Sequence, residues 1–245
     1  MLSKELLLQE FKEFKPWSGL HLVGIRDSKL TALGSGGLLK YKNRYFVLTN
    51  YHVVKGIQDL KKEILIPYTI DDEESFSFTI IDVKLSPSSD IAVLEIRFNE
   101  SINRSNHRFL DEKYLDLDIE TYTAKTNVLY LHGYPTGSTT IDDDRNEMES
   151  VTFPYCTYVD KYDTYIESIF AYINDEGTSE FNETVRIPVV AGMSGSFVYG
   201  YYYSESPKFK LLGILTNWHI VDERLEIYPI REFIDFLNDN FFQEI

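Results

Sequence analysis

Apolar and polar positions change rhythm several times along the chain. In "LSKELLLQEFKEF" (residues 2–14) Leu6, Leu7 and Phe11 recur at helical spacing, which predicts a short amphipathic helix within an N-terminal extension, residues 1–18. From residue 19 the rhythm shortens to apolar or alternating runs broken by turn residues: "GLHLVGI", "ALGSGGLLKY", "RYFVLT", "EILIPYTI", "SFSFTIIDVKL" and "DIAVLEIRF". Residues 99–125 carry many charges and no strand rhythm, so residues 101–125 are expected to link two units. A second series follows: "NVLYLHGYP", "ESVTFPYCTYV", "TYIESIFAYI", "ETVRIPVV", "SFVYGYYY" and "KFKLLGILT". The chain closes on "REFIDFLNDNFFQEI", where Phe233, Ile234, Phe236, Leu237 and Phe241 fit a helix packed back on the body. The pattern predicts an all-β protein of two similar units, residues 19–100 and 126–228, with a C-terminal helix in 229–245.

Composition narrows the setting. Eighteen Tyr and sixteen Phe suit pleated, half-buried surfaces. Thirty-nine acidic against twenty-four basic residues give a net charge of −15, which repels phosphate backbones and anionic lipid and argues against nucleic-acid or membrane partners. Cys156 is the only cysteine, so no intramolecular disulfide can form, and the charged start of the chain lacks the apolar core of a signal peptide. A cytoplasmic setting is the expectation.

Three polar residues interrupt apolar runs where chemistry could use them. In "VLTNYHVVKG" His52 follows a buried strand as the chain begins to turn; in "SPSSDIAVLEI" Asp90 opens an apolar strand; in "VVAGMSGSFVYG" Ser194 lies among glycines. A serine hydroxyl is a weak nucleophile and needs a base within hydrogen-bond reach, for which imidazole is suited. The imidazole needs a carboxylate to hold its tautomer, and the order His, Asp, Ser is that of one well-known triad.

On these residues the chain resembles the trypsin-like (chymotrypsin-fold) serine proteases, in particular bacterial members without disulfides. "GSGGLLKYKNRYFVLTNYHVV", "SDIAVLEI", "NVLYLHGYPTG" and "GMSGSFVYG" with "KLLGILT" are similar to that family's histidine, aspartate and serine segments, over roughly residues 19–240. The resemblance implies two six-stranded antiparallel barrels with the site between them, His52 and Asp90 coming from the first and Ser194 from the second. It implies an oxyanion hole in the Gly192–Met193–Ser194 turn, with the N–H groups of Gly192 and Ser194 as donors. It places Pro188 and Val189 at the base of a specificity pocket, with Thr216, Asn217 and Trp218 on its wall. Trp218 would favour a small or medium apolar side chain, whereas His219 could read Glu or Gln. Met193 stands where family members activated by N-terminal cleavage carry an aspartate, so no such switch is expected. The implied function is an intracellular serine endopeptidase acting on a protein or peptide, with a possible activating partner protein; by analogy, a bacterial defence system could use it. No cofactor is required.

The sequence also allows other assignments. Ser196 is a competing nucleophile, and His219 with Asp222 follow Ser194 too closely for a lipase-type order. Cys156 is expected to be a buried thiol. Asp142, Asp144 and Asn146 alternate as calcium ligands can, but Glu147 and Phe153 stand where an EF-hand loop needs glycine and a carboxylate, so a solvated turn is expected and no metal site. A catalytically inactive, protease-like binding module and a viral polyprotein-processing protease are the alternatives.

Overall fold

The structure, a computed structural model, describes residues 9–10, 14, 18–27, 29–70, 74–105, 107–118, 128–142, 144–145, 147–173, 176–178, 184–187, 190–203 and 205–243. Leu6, Leu7 and Phe11 of the expected N-terminal helix lie outside the described residues. Gln9 and Glu10 are helical, and the Phe14 N–H donates to the Glu10 carbonyl at 2.9 Å.

The first unit contains β1 (Gly19–Arg26), β2 (Lys29–Tyr41), β3 (Arg44–Asn50), α1 (Tyr51–Asp59), β4 (Glu63–Leu65), β5 (Pro67–Ile70), β6 (Glu74–Ser77), β7 (Ile80–Ser86) and β8 (Ile91–Ile96). Its main sheet runs β4-β1-β2-β3-β8-β7 and curls without closing, while β5 and β6 pair apart from it. The expected first six-stranded barrel is therefore corrected to an open sheet with an attached hairpin. Two of the runs each break in the middle. "EILIPYTI" breaks before Pro67, which has no N–H for a continuing ladder, and "SFSFTIIDVKL" breaks at Phe78, whose N–H donates to the Ile66 carbonyl at 3.1 Å. The expected linker also holds structure: 3-10 turns at Glu100–Arg104 and Glu112–Tyr114 flank β9 (Leu110–Asp111), which pairs parallel with β2.

The second unit contains β10 (Val128–Gly133), β11 (Thr139–Asp142), β12 (Glu147–Ser150), β13 (Phe153–Asp163), β14 (Ser168–Tyr172), β15 (Glu176–Thr178), β16 (Thr184–Arg186), β17 (Phe197–Tyr201), β18 (Phe209–His219) and β19 (Arg224–Pro229). Here a closed barrel does form, in the order β10-β13-β14-β19-β18-β17, with β17 returning to β10. Its membership differs from the expectation. "ETVRIPVV" supplies only β16, in a hairpin with β15, and the sixth barrel strand is β19, "RLEIYP".

The near-continuous apolar runs have a simple cause, because successive residues of a strand point to opposite faces and here both faces are buried. In β3, Val47 enters a core inside the first unit, while Phe46 and Leu48 enter a core between the units. In β17, Val198 enters the barrel interior, while Phe197, Tyr199 and Tyr201 enter the shared core. The C-terminal helix α2 (Ile230–Phe241) buries Ile230, Phe233, Ile234 and Leu237, one face at helical spacing, in that same shared core. Phe14 stacks on Phe209 at 4.0 Å and meets Tyr199 edge-on, so Phe14 packs there too. Cys156, expected to be buried, is instead exposed, because the alternation of β13 turns it outward. No helix among the described residues is long and apolar enough to cross a membrane.

Candidate active site

Asp90 precedes β8 with φ of 51°, a left-handed conformation that aspartate tolerates better than most residues. That turn brings both ends of the residue onto the start of α1. The Asp90 carbonyl accepts the Tyr51 N–H at 3.0 Å, and its carboxylate Oδ1 accepts the His52 N–H at 3.0 Å. Asn50, the residue before the helix, makes no side-chain cap, so the Asp90 carboxylate takes over that role and sits favourably against the helix dipole.

The same carboxylate holds the imidazole. His52 Nδ1 lies 2.8 Å from Asp90 Oδ2 and 3.1 Å from Oδ1. Because an ionised carboxylate only accepts, Nδ1 is the donor of this pair, and the neutral imidazole in that tautomer has its lone pair on Nε2. The His52 side chain is about half exposed, at 48%, so Nε2 chemistry is accessible from solvent.

Ser194 comes from the second unit, in the turn before β17. Gly192 and Gly195 have φ of 88° and 92°, and a Cβ on Gly195 would lie 1.9 Å from the Ser35 carbonyl oxygen, so this position admits only glycine. The turn is clamped to the first unit through Ser35 of β2. The Ser35 N–H donates to the Ser194 carbonyl at 2.8 Å, and its hydroxyl donates to the Gly192 carbonyl at 2.9 Å while accepting the Tyr134 N–H at 3.0 Å. Thr49 in turn donates to the Ser35 carbonyl at 2.7 Å.

His52, Asp90 and Ser194 line one cleft of about 530 Å³, together with Ser88, Ser89, Ile166, Ser168, Thr216, Asn217, Glu226 and Tyr228. The Ser194 hydroxyl donates to the Thr216 carbonyl at 3.3 Å rather than to His52, a long contact for an O–H donor. Among the described residues the N–H groups of Gly192 and Ser194 meet no backbone carbonyl. The Met193 N–H donates to Val190 at 3.0 Å and its side chain is buried in the barrel core. Within the Gly192–Met193–Ser194 turn, Met193 is thus the apolar anchor.

The remaining expected positions separate. Pro188 and Val189 lie outside the described residues. Thr216 and Asn217 line the cleft; Trp218 packs against the barrel core, and His219 Nε2 is bonded to Glu226 Oε2 at 2.8 Å, so neither lines it. Ser196 is fully buried, away from the cleft. Asp142 accepts the N–H groups of Asp144 and Arg145 between β11 and β12, the geometry of a solvated turn. Among the described residues no cluster of acidic, histidine or cysteine side chains could hold a metal ion.

Glu226 is the charged cleft residue that the sequence did not point to. It lies on β19, the barrel strand that was also missed, and its only sequence signal is the alternation of "RLEIYP", which puts Arg224, Glu226 and Tyr228 on one face. No protein-family model matches this chain, and no curated protein matches it significantly.

Proposed function

We propose that the protein is a serine endopeptidase using Ser194, His52 and Asp90. One observation carries the proposal: an Asp90–His52 pair fixed at a helix N-terminus opens onto the same cleft as a serine in a turn with two left-handed glycines. The resemblance of the surrounding segments to trypsin-like serine proteases supports it.

The chemistry follows from the groups present. Ser194 Oγ attacks the carbonyl carbon of a peptide bond and its proton passes to His52 Nε2. The resulting oxyanion accepts hydrogen bonds from the Gly192 and Ser194 N–H groups, and such donors contribute about 2.7–4 kcal/mol each in the transition state. Asp90 stabilises the imidazolium without taking its proton. His52 then protonates the leaving amine as the C–N bond breaks, leaving an ester on Ser194. Water attacks that ester, again giving its proton to His52, and the acid departs as the Ser194 hydroxyl is restored. The serine exchanges its hydrogen bond from Thr216 to His52 when substrate enters.

Mass spectrometry of a quenched reaction with an activated peptide ester tests this: an acyl adduct on Ser194 is expected, absent in Ser194→Ala. A protein that accumulates no adduct and hydrolyses no peptide would contradict it. The Thr216 hydrogen bond favours one second reading, a non-catalytic cleft that binds protein segments. That reading predicts segment binding to the native protein with no acylation.

A further inference from the structure

Among the described residues the cleft is polar and acidic. Ile166 and Tyr228 are its large apolar lining side chains, and no lysine or arginine lines it among the described residues. Two carboxylates do. Asp90 is committed to His52 through both oxygens. Glu226 is committed differently: Oε1 accepts the Ser168 hydroxyl at 3.0 Å and Oε2 faces His219 Nε2 at 2.8 Å. A carboxylate offers about four lone-pair positions, so two remain for a ligand. The Glu226 side chain is 22% exposed, enough to be reached and sheltered enough for a charged hydrogen bond to count.

Glu226 is also tied to the nucleophile. Its carbonyl accepts the Thr216 hydroxyl at 3.1 Å, and the Thr216 carbonyl accepts the Ser194 hydroxyl at 3.3 Å. The cation nearest along the same face of β19, Arg224, is paired with Asp160 at 2.8 Å and does not neutralise Glu226. Ile166 and Tyr228 can cover the aliphatic stem of a long side chain whose charged end reaches the carboxylate. The net charge of −15 favours approach of a cationic substrate from a distance.

We infer that Glu226 is a specificity-determining residue that recognises a lysine or arginine side chain of the peptide beside the bond cleaved at Ser194. This assignment rests on the serine endopeptidase proposal above. It replaces both the apolar preference expected from Trp218 and the Glu or Gln preference expected from His219, since His219 already faces Glu226.

The test has two arms. In the first, the wild-type protein is given a peptide library varied at the residue before the cleaved bond. Lysine and arginine peptides are expected to exceed leucine and glutamate peptides in kcat/KM by about tenfold or more, and Glu226→Gln to collapse that lysine-to-leucine ratio, consistent with loss of a charge-assisted hydrogen bond. Cleavage without a cationic preference overturns the Glu226 assignment while leaving the serine endopeptidase proposal intact. In the second, benzamidinium is titrated into Ser194→Ala by calorimetry, which reads the pocket without catalysis. Binding that disappears in the Ser194→Ala, Glu226→Gln double variant supports the assignment even where no peptide is hydrolysed. No binding to Ser194→Ala, or equal binding to both proteins, overturns it.

Discussion

The two units build their halves of the cleft by different means. The open first sheet supplies His52 and Asp90, already hydrogen-bonded to one another and to a helix N-terminus, so this half is complete within one unit. The closed barrel supplies Ser194 on a glycine turn, held from outside by Ser35 of the other unit. A closed barrel satisfies its strand edges by itself, whereas an open sheet leaves edges to be managed. The site therefore depends on docking: the shared core holds the sheet, the barrel and α2 together, and the Ser35 contacts align the turn.

The largest expected effect tests whether the two halves act as one unit. Ser194→Ala and His52→Ala should each reduce kcat by about a millionfold, and the double variant little further, because residues of one reacting group are not additive. Asp90→Asn should cost about ten-thousandfold through the wrong imidazole tautomer. Steady-state kinetics on one peptide would check all three, and additive losses would separate the halves.

Next in size is the core that joins the units. Phe197 is 1% exposed within it, and Phe197→Ala should destabilise by about 3–5 kcal/mol, measured by urea unfolding. A single transition at lower urea is expected; two separated transitions would show that the units unfold independently. Gly195→Ala acts where the turn meets β2 and β3 of the first unit. Forcing a side chain into φ of 92°, against the Ser35 carbonyl, should cost about 1–3 kcal/mol from backbone strain before any adjustment of β2.

The smallest effect compares a buried histidine of the sheet with a half-buried one of the barrel. Burial lowers His21 of the sheet and His132 of the barrel from 6.5 to about 4, with His107 adding to the shift of His132. Both fold neutral, so unfolding takes up protons between pH 6.5 and 4. Their contribution is complete above pH 6.5 and is lost as pH falls toward 4, amounting to about 1 kcal/mol each by pH 5.5. His132→Gln should flatten the acid side of the stability profile; an unchanged profile would contradict a neutral His132.

How far these features were legible depends on which were local. His52, Asp90 and Ser194 stood out because each places a polar group at the end of an apolar run, and the structure brings all three to one cleft. Strand rhythm also located most of the sheet. It could not say which strands pair, since pairing is tertiary. "ETVRIPVV" reads as a barrel strand and forms a hairpin outside it, whereas the shorter "RLEIYP" completes the barrel. Glu226 went unnoticed with that strand, because an alternating glutamate looks like a solvent-facing position until the partner strand places it in the cleft. Met193 was legible as a missing aspartate, but its role as an anchor needs the barrel core around it.

The central claim is that Ser194 is an activated nucleophile. Labelling with an active-site serine phosphonate, with the modified residue located by peptide mapping, measures this directly. The account predicts one phosphonate per chain on Ser194, and none on Ser194→Ala or His52→Ala. Native protein left unlabelled, or labelled equally after either substitution, would contradict it.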